Sequence, residues 1–290
     1  MKKFGFSVLT LSFLCLLSVS CKKQSAEIAK PVSDAALLAK LTNYNQQHTN
    51  APSARCSGFW SCLGYVASVA GADIIGAGTG IITVKEAAAA IGVATGGTGA
   101  VATMVGAGVI TGAGASYAAA RTASSTYTPD PLKYGNLEIL LPEEFSYLST
   151  VGVEHNDVIH NNFYHEEPIA TYYEQKGLNE EQVSVLESDI MKNAQAQLQE
   201  ASKEYTASNF DFKTLSQRLL DQKLVSTSVK DVLDLFMERY TICETKDEMQ
   251  EVINYYIATV RDSELGTDDK EALMASFMVA SQSPFYFLSE

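Results

Sequence analysis

The stretch "GVATGGTGAVATMVGAGVITGAGA", Gly92–Ala115, decides the fold of this chain. It has no charged side chain and lies within a run of 34 uncharged residues, 87–120. Glycine is concentrated around it, since 14 of the 19 glycines fall between Gly58 and Gly114. A nucleotide-binding loop, a disordered linker and a closely packed helix could each have this composition.

The first two structures fit the residues poorly. Gly106 and Gly108 could open a dinucleotide-binding loop, but Thr111 stands where that motif needs its third glycine, and Gly112 comes one place late. No alternation of strands and helices follows. A disordered segment is usually rich in charged and polar residues, and this one is not.

Small residues recur every four positions along the region, as in a glycine zipper. Four residues make about one helical turn, so the small residues form one stripe along a helix. Such a stripe lets two helix backbones approach closely, as in membrane-embedded helix pairs. We predict helices near 58–82, 86–95 and 100–121, folded on one another. The Gly-x-x-x-Gly pairs in this phase are Gly76–Gly80, Gly92–Gly96 and Gly108–Gly112.

Charge divides the chain around this Gly/Ala belt, which we define as residues 56–127. Residues 1–129 hold nine basic and four acidic residues, a net charge of +5. Residues 130–290 hold twelve basic and thirty acidic residues, a net charge of −18. An excess of acidic groups repels phosphates, so the sequence argues against nucleic-acid binding. It favours a soluble, solvated acidic domain over residues 128–290.

The N-terminus reads as an export signal. Met1-Lys2-Lys3 is basic, an apolar run follows, and small residues then lead to Cys21. This pattern resembles the signal of bacterial lipoproteins of the Bacteroidota type, with Ser18 at the position where leucine is usual. The resemblance implies removal of residues 1–20, lipidation of Cys21 and anchoring in the cell envelope at the outer membrane. The alternative is ordinary secretion, with Cys21 as a free thiol. Residues 21–55 read as a polar tether.

Three further cysteines remain in the exported chain. Cys56 and Cys62 either close a small loop as a disulfide or stay as two unpaired thiols. Their spacing differs from that of a redox pair or a zinc knuckle. Cys243 is expected to be a buried thiol on a helix.

The C-terminal domain shows helical periodicity and capping signals. Asn179 with Gln182 predicts a helix running to about Tyr205, and Thr245 with Glu248 predicts another, which Gly266 would end. Leu137–Leu141 could be a short strand, but it has no obvious partner. Three other helices are predicted at 212–224, 228–242 and 268–278. The expected fold is therefore all-α: a Gly/Ala-rich helical hairpin followed by an acidic helical bundle.

Three of the four histidines lie close together in sequence, at His155, His160 and His165. Five residues correspond to about 140° around a helix, so a shared metal site is not favoured and we predict neither metal nor cofactor. The element Val151-Gly152-x-x-His155-Asn156 resembles one in uncharacterised Bacteroidota lipoproteins, some of which have a similar belt. We expect Gly152, His155 and Asn156 to be structural, through buried hydrogen bonds.

These patterns predict a non-enzymatic envelope lipoprotein, with no catalytic residue, whose belt associates with or inserts into a membrane, in the manner of a bacteriocin or contact toxin. The stripe of small residues would also allow self-association. One alternative is a soluble structural or interaction lipoprotein whose hairpin is simply its core. The other is a metal-dependent enzyme using His155, His160 and His165.

Overall fold

The computed structural model describes residues 34–48, 63–90, 98–123, 134–207 and 211–287. These described residues are helical with no strand, so the all-α prediction is confirmed. Residues 31–290 form one compact unit, in which both the belt helices and the C-terminal helices lie. The α-helices are α1 (Asp34–Gln47), α2 (Leu63–Ala90), α3 (Thr98–Ala123), α4 (Val151–Val158), α5 (Ile169–Gln175), α6 (Glu180–Leu186), α7 (Asp189–Ala207), α8 (Phe212–Asp221), α9 (Thr227–Tyr240), α10 (Lys246–Arg261), α11 (Thr267–Ala280) and α12 (Ser283–Phe287).

Two shorter elements complete the description. A 3-10 helix spans Glu143–Leu148, and a π-helical turn, Ile159–Tyr164, continues directly from α4. Gly92, Gly96, Cys21, Cys56 and Cys62 lie outside the described residues, as does the predicted boundary near residue 128.

The belt helices occupy the centre of the bundle. α2 and α3 pack on each other, while α7 and α11 pack against them and α4 lies against α3. The predicted helix break near Lys85 is wrong, because α2 continues to Ala90. Lys85 forms ion pairs with Asp268 and Glu271 of α11, so its charge is accommodated without ending the helix.

The outer helices follow their capping signals closely. Asn179 and Gln182 form the predicted capping box of α6, and Thr245 accepts a hydrogen bond from Glu248 N–H at the start of α10. The predicted single helix from Asn179 to Tyr205 is wrong, because it divides near Ser188 into α6 and α7. Gly266 also differs from expectation: it is the N-cap of α11 rather than the end of α10.

Large side chains fill the core between the outer helices and the hairpin. Phe236 of α9, Tyr256 of α10 and Phe277 of α11 are fully buried, with ring centroids 4.9–6.1 Å apart. Edge-to-face and tilted ring contacts of this kind favour one arrangement of the three helices. The core therefore has a Gly/Ala part and an aromatic part.

Candidate functional site

The backbones of α2 and α3 approach each other closely at the predicted stripe. A Cβ placed on Gly80 would overlap the carbonyl oxygen of Ala107 and would lie 2.7 Å from its carbonyl carbon. One on Gly76 would lie 2.9 Å from the Cα of Gly112. Two helix backbones therefore touch with no side chain between them, which only glycine allows.

Glycines outside the stripe face the other neighbours of the hairpin. A Cβ on Gly78 would lie 2.8 Å from the hydroxyl of Ser276 in α11. One on Gly71 would lie 2.7 Å from the hydroxyl of Tyr205 in α7. The hairpin thus makes close contacts with the bundle on several faces, as well as between its own two helices.

A buried polar cluster lies beside this contact. Asp73, on the otherwise apolar part of α2, has no solvent exposure, and neither have His155 of α4 and Ser283 of α12. The Ser283 hydroxyl donates a hydrogen bond to Asp73 Oδ2, and His155 Nε2 lies 3.6 Å from the same oxygen. Within the described residues, Asp73 Oδ1 has no hydrogen-bond partner. The cluster joins the hairpin to two outer helices through one carboxylate.

The Gly152, His155 and Asn156 motif is built into the same region. His155 Nδ1 and Asn156 Oδ1 are 3.1 Å apart, and Asn156 Nδ2 donates to the carbonyl of Gln282 at 3.3 Å. A Cβ on Gly152 would overlap the carbonyl oxygen of Met278. Gly152 and Asn156 thus contact the end of α11 and the residue after it, while His155 faces α2.

The remaining histidines point elsewhere. His160 and His165 lie on and just after the π-helical turn, with ring centroids 4.6 Å apart, and the Tyr286 hydroxyl is 3.5 Å from His160 Nδ1. His155 faces Asp73 instead. Among the described residues, no three His, Cys, Asp or Glu side chains are grouped so that they could hold a metal ion.

A second charged cluster lies near the end of α2. Lys85 bonds to Asp268 and Glu271, and Glu271 also accepts a hydrogen bond from the hydroxyl of Tyr147. Burial raises the pKa of Tyr147, and its bond to Glu271 raises it further. A cavity of about 370 Å³ adjoins this cluster and is lined by Val84, Ala88, Ala100, Thr103 and Met104. The charges are paired with each other, so they offer little to a charged ligand.

Cys243 is buried, as predicted, but it follows the end of α9 instead of lying on a helix. Burial raises the pKa of its thiol to about 12. The thiolate is the nucleophilic form of cysteine, so this residue is poorly suited to catalysis near neutral pH.

Among the described helices, the segment Gly99–Thr122 is long and apolar enough to cross a membrane. However, 78% of its 18-residue apolar window is buried inside the protein. The core helix of a soluble bundle has the same length and composition, so this observation gives only weak support to a membrane span.

The comparisons with known proteins found no relative of this chain. No family model, no curated protein and no solved structure matches it.

The sequence patterns of the stripe and of the Gly152, His155 and Asn156 motif did not indicate that Asp73, His155 and Ser283 meet. The unusual position of Asp73 in an apolar segment was the available signal, because a buried carboxylate requires partners. Its partner Ser283 lies 210 residues away in sequence, and no short motif indicates that pairing.

Proposed function

We propose that this chain is a non-enzymatic, lipid-anchored envelope protein whose Gly/Ala hairpin is the permanent core of an acidic interaction module. The lipid anchor rests on the signal that ends at Cys21. The binding role rests on the acidic C-terminal region, which suits partners carrying basic residues.

One observation carries this proposal: within the described residues, the small-residue stripe packs inside the protein. Gly76 and Gly80 contact the backbone of α3, so this face is not available to a second chain or to lipid. Gly78 meets α11, and Asp73 bonds to α12. Moving the hairpin into a bilayer would break the contacts with α11 and α12 and take the Asp73 carboxylate into lipid, which is costly.

A second candidate is the membrane-inserting hairpin. It is favoured by helix length, since α2 has 28 residues and α3 has 26. At 1.5 Å per residue they span about 42 and 39 Å, more than the roughly 30 Å of a bilayer's hydrocarbon core. The contact between α2 and α3 would also survive in lipid, because it depends on close packing.

Dye leakage from vesicles separates these two functions. The lipidated full-length protein is added to vesicles of phosphatidylethanolamine and phosphatidylglycerol loaded with a fluorescent dye. We expect membrane attachment without leakage. A Cys21→Ser variant should lose attachment, because it lacks the acylated residue.

A locked variant provides the matched control. Gly78→Cys combined with Ser276→Cys places two thiols at the contact between α2 and α11, where a Cβ on Gly78 would lie 2.8 Å from the Ser276 hydroxyl, for oxidation to a disulfide. The core assignment would be overturned in favour of insertion by one set of results. The wild-type protein would cause leakage, the oxidised variant would not, and reduction of the variant would restore leakage.

A further inference from the structure

An extended segment, the strap (residues 134–142), crosses the surface of the bundle. Its side chains alternate between two environments, as in a β-strand. Leu137, Ile139 and Leu141 are half-buried and pack on the core, whereas Glu138 and Leu140 are exposed. The predicted strand at Leu137–Leu141 therefore has strand-like backbone, although it pairs with no other strand among the described residues.

Side-chain amides take the place of a neighbouring strand along one edge. Asn254 of α10 donates to Glu138 O at 2.9 Å and accepts from Leu140 N–H at 2.8 Å. Gln250, one turn earlier, accepts from Glu138 N–H at 2.6 Å. At the start of the strap, apart from this edge, Gln282 hydrogen-bonds to both the N–H and the carbonyl of Gly135, at 2.7 and 3.2 Å.

From Leu137 to Leu141, the other edge of the strap has no partner among the described residues. In extended backbone, the N–H and C=O groups of successive residues point to opposite edges. The groups of Leu137, Ile139 and Leu141 therefore point away from α10. Within the described part of the chain, these six backbone groups make no hydrogen bond. Backbone groups left in this way must be solvated or must pair with another extended segment.

We propose that this free edge binds an extended, basic segment of a partner protein, which adds to the strap as a β-strand. An extended backbone is the ligand that satisfies alternating donors and acceptors. Leu140, 66% exposed, offers an apolar contact for one side chain of the partner. Glu138, Glu143 and Glu144 are exposed around it and complement basic residues. This inference rests on the proposed role as an interaction module.

The same features argue against other occupants. A second copy of the chain would bring its own Glu138, Glu143 and Glu144 to the interface, and each copy has a net charge of −13. A single phosphate or carboxylate ligand would meet the same acidic groups. The hydrogen bonds from the side-chain amides of α10 hold the strap extended before a partner binds. This lowers the entropic cost of adding a strand.

Amide hydrogen exchange on the full-length protein tests the proposal residue by residue. In the free protein, the N–H groups of Leu137, Ile139 and Leu141 should exchange fast, while those of Glu138 and Leu140 are protected. The probe is a synthetic heptapeptide, acetyl-Arg-Thr-Val-Thr-Val-Thr-Arg-amide, at about 1 mM, since a single added strand binds weakly. We expect exchange at Leu137, Ile139 and Leu141 to slow by about tenfold with no change at Glu138 and Leu140.

Two matched peptides and one variant serve as controls. The same peptide with glutamates at both ends should bind less, and a peptide N-methylated at alternate residues along its pairing edge should give no protection. Glu138→Gln with Glu144→Gln should weaken binding of the basic peptide several-fold without unfolding the protein, because both side chains are exposed.

Three results would overturn the proposal. The first is slow exchange at Leu137, Ile139 and Leu141 in the free protein, which would mean that the edge is occupied. The second is equal protection by the N-methylated peptide. The third is protection that rises with protein concentration alone, which would identify a second copy as the occupant. None of these results would affect the vesicle test of the hairpin, so the two proposals fail separately.

Discussion

The hairpin and the helices around it build one core in opposite ways. Between α2 and α3 the nearest atoms belong to backbone, as at Gly80 and Ala107. Between α9, α10 and α11 aromatic rings pack on one another, as at Phe236 and Phe277, whose centroids are 4.9 Å apart. In the hairpin, small residues let the helix backbones pack closely, whereas around it large aromatic side chains fill the space between the helices.

This difference predicts which substitutions each half of the core tolerates. Aromatic side chains can shift slightly when a neighbour changes, so conservative substitutions among them usually cost less than about 1.5 kcal/mol. A helix backbone cannot shift in this way without moving the whole helix. The hairpin should therefore be sensitive to one added methyl group, and also to any loss of the polar contacts that position it.

The largest effect is expected at Asp73. Losing a buried hydrogen bond to a charged group typically costs about 1.5–3 kcal/mol, and Asp73→Ala leaves Ser283 and His155 without their carboxylate partner. We expect a loss of that size in the free energy of unfolding, measured by urea denaturation. A loss below about 1 kcal/mol would mean that the carboxylate does not position the hairpin.

A double-mutant cycle tests whether this effect passes through Ser283. Asp73→Ala and Ser283→Ala should be non-additive by about 0.5–3 kcal/mol. Ser276→Ala is the matched control, because this serine is also fully buried but its hydroxyl bonds to Ala272 O within its own helix. Its effect should add to that of Asp73→Ala.

The next largest effect on stability is expected where α2 and α3 touch, and two glycine substitutions, one on each helix, are compared. Gly80→Ala places a methyl group against Ala107 O, whereas Gly108→Ala places one 3.2 Å from Ala77 O. Both substitutions gain about 1 kcal/mol of helix propensity, so their difference reports the contact. We expect Gly80→Ala to lose about 2 kcal/mol of unfolding free energy through overpacking, and Gly108→Ala to stay within about 1 kcal/mol of wild type.

Thermal or urea unfolding of the two variants measures this difference. If both variants are equally stable, α2 and α3 do not approach as closely as their backbones indicate. A loss at Gly108→Ala alone would reverse the assignment of the closer side.

The parts of the structure that could be predicted from the sequence are those set by local physics. The four-residue spacing of Gly76 and Gly80 predicts a close helix contact, and Asn179 with Gln182 predicts a helix start. The continuity of α2 through Lys85 could not be predicted, because it depends on Asp268 and Glu271, which are distant in sequence. The same limit applies to Ser283 as the partner of Asp73, and to the amides of α10 as partners of the strap.

The smallest predicted effect concerns charge near the hairpin. Glu154 lies in a cavity of about 220 Å³ beside Tyr173 and Lys176 of the outer bundle. Burial raises the pKa of its carboxyl, although a hydrogen bond with Thr150 opposes that shift. A raised pKa in the folded state stabilises the protein below the pKa of the unfolded state, and this contribution is lost as the pH rises through the folded value.

Glu154→Gln should therefore be more stable than wild type at neutral pH, by less than about 1 kcal/mol because the group is only partly buried. Its advantage should shrink as the pH falls through the raised folded-state pKa and should be gone below about 4.3, where the carboxyl is protonated in the unfolded state too. Asp211→Asn gives the opposite sign: a hydrogen bond from Thr214 lowers the pKa of Asp211, and its contribution is lost as the pH falls. Urea unfolding of both variants between pH 3 and pH 8 checks the pair. If the stability difference from wild type changes with pH in the same direction for both variants, burial at Glu154 does not outweigh its hydrogen bond. Water would then reach Glu154 more than the packing indicates.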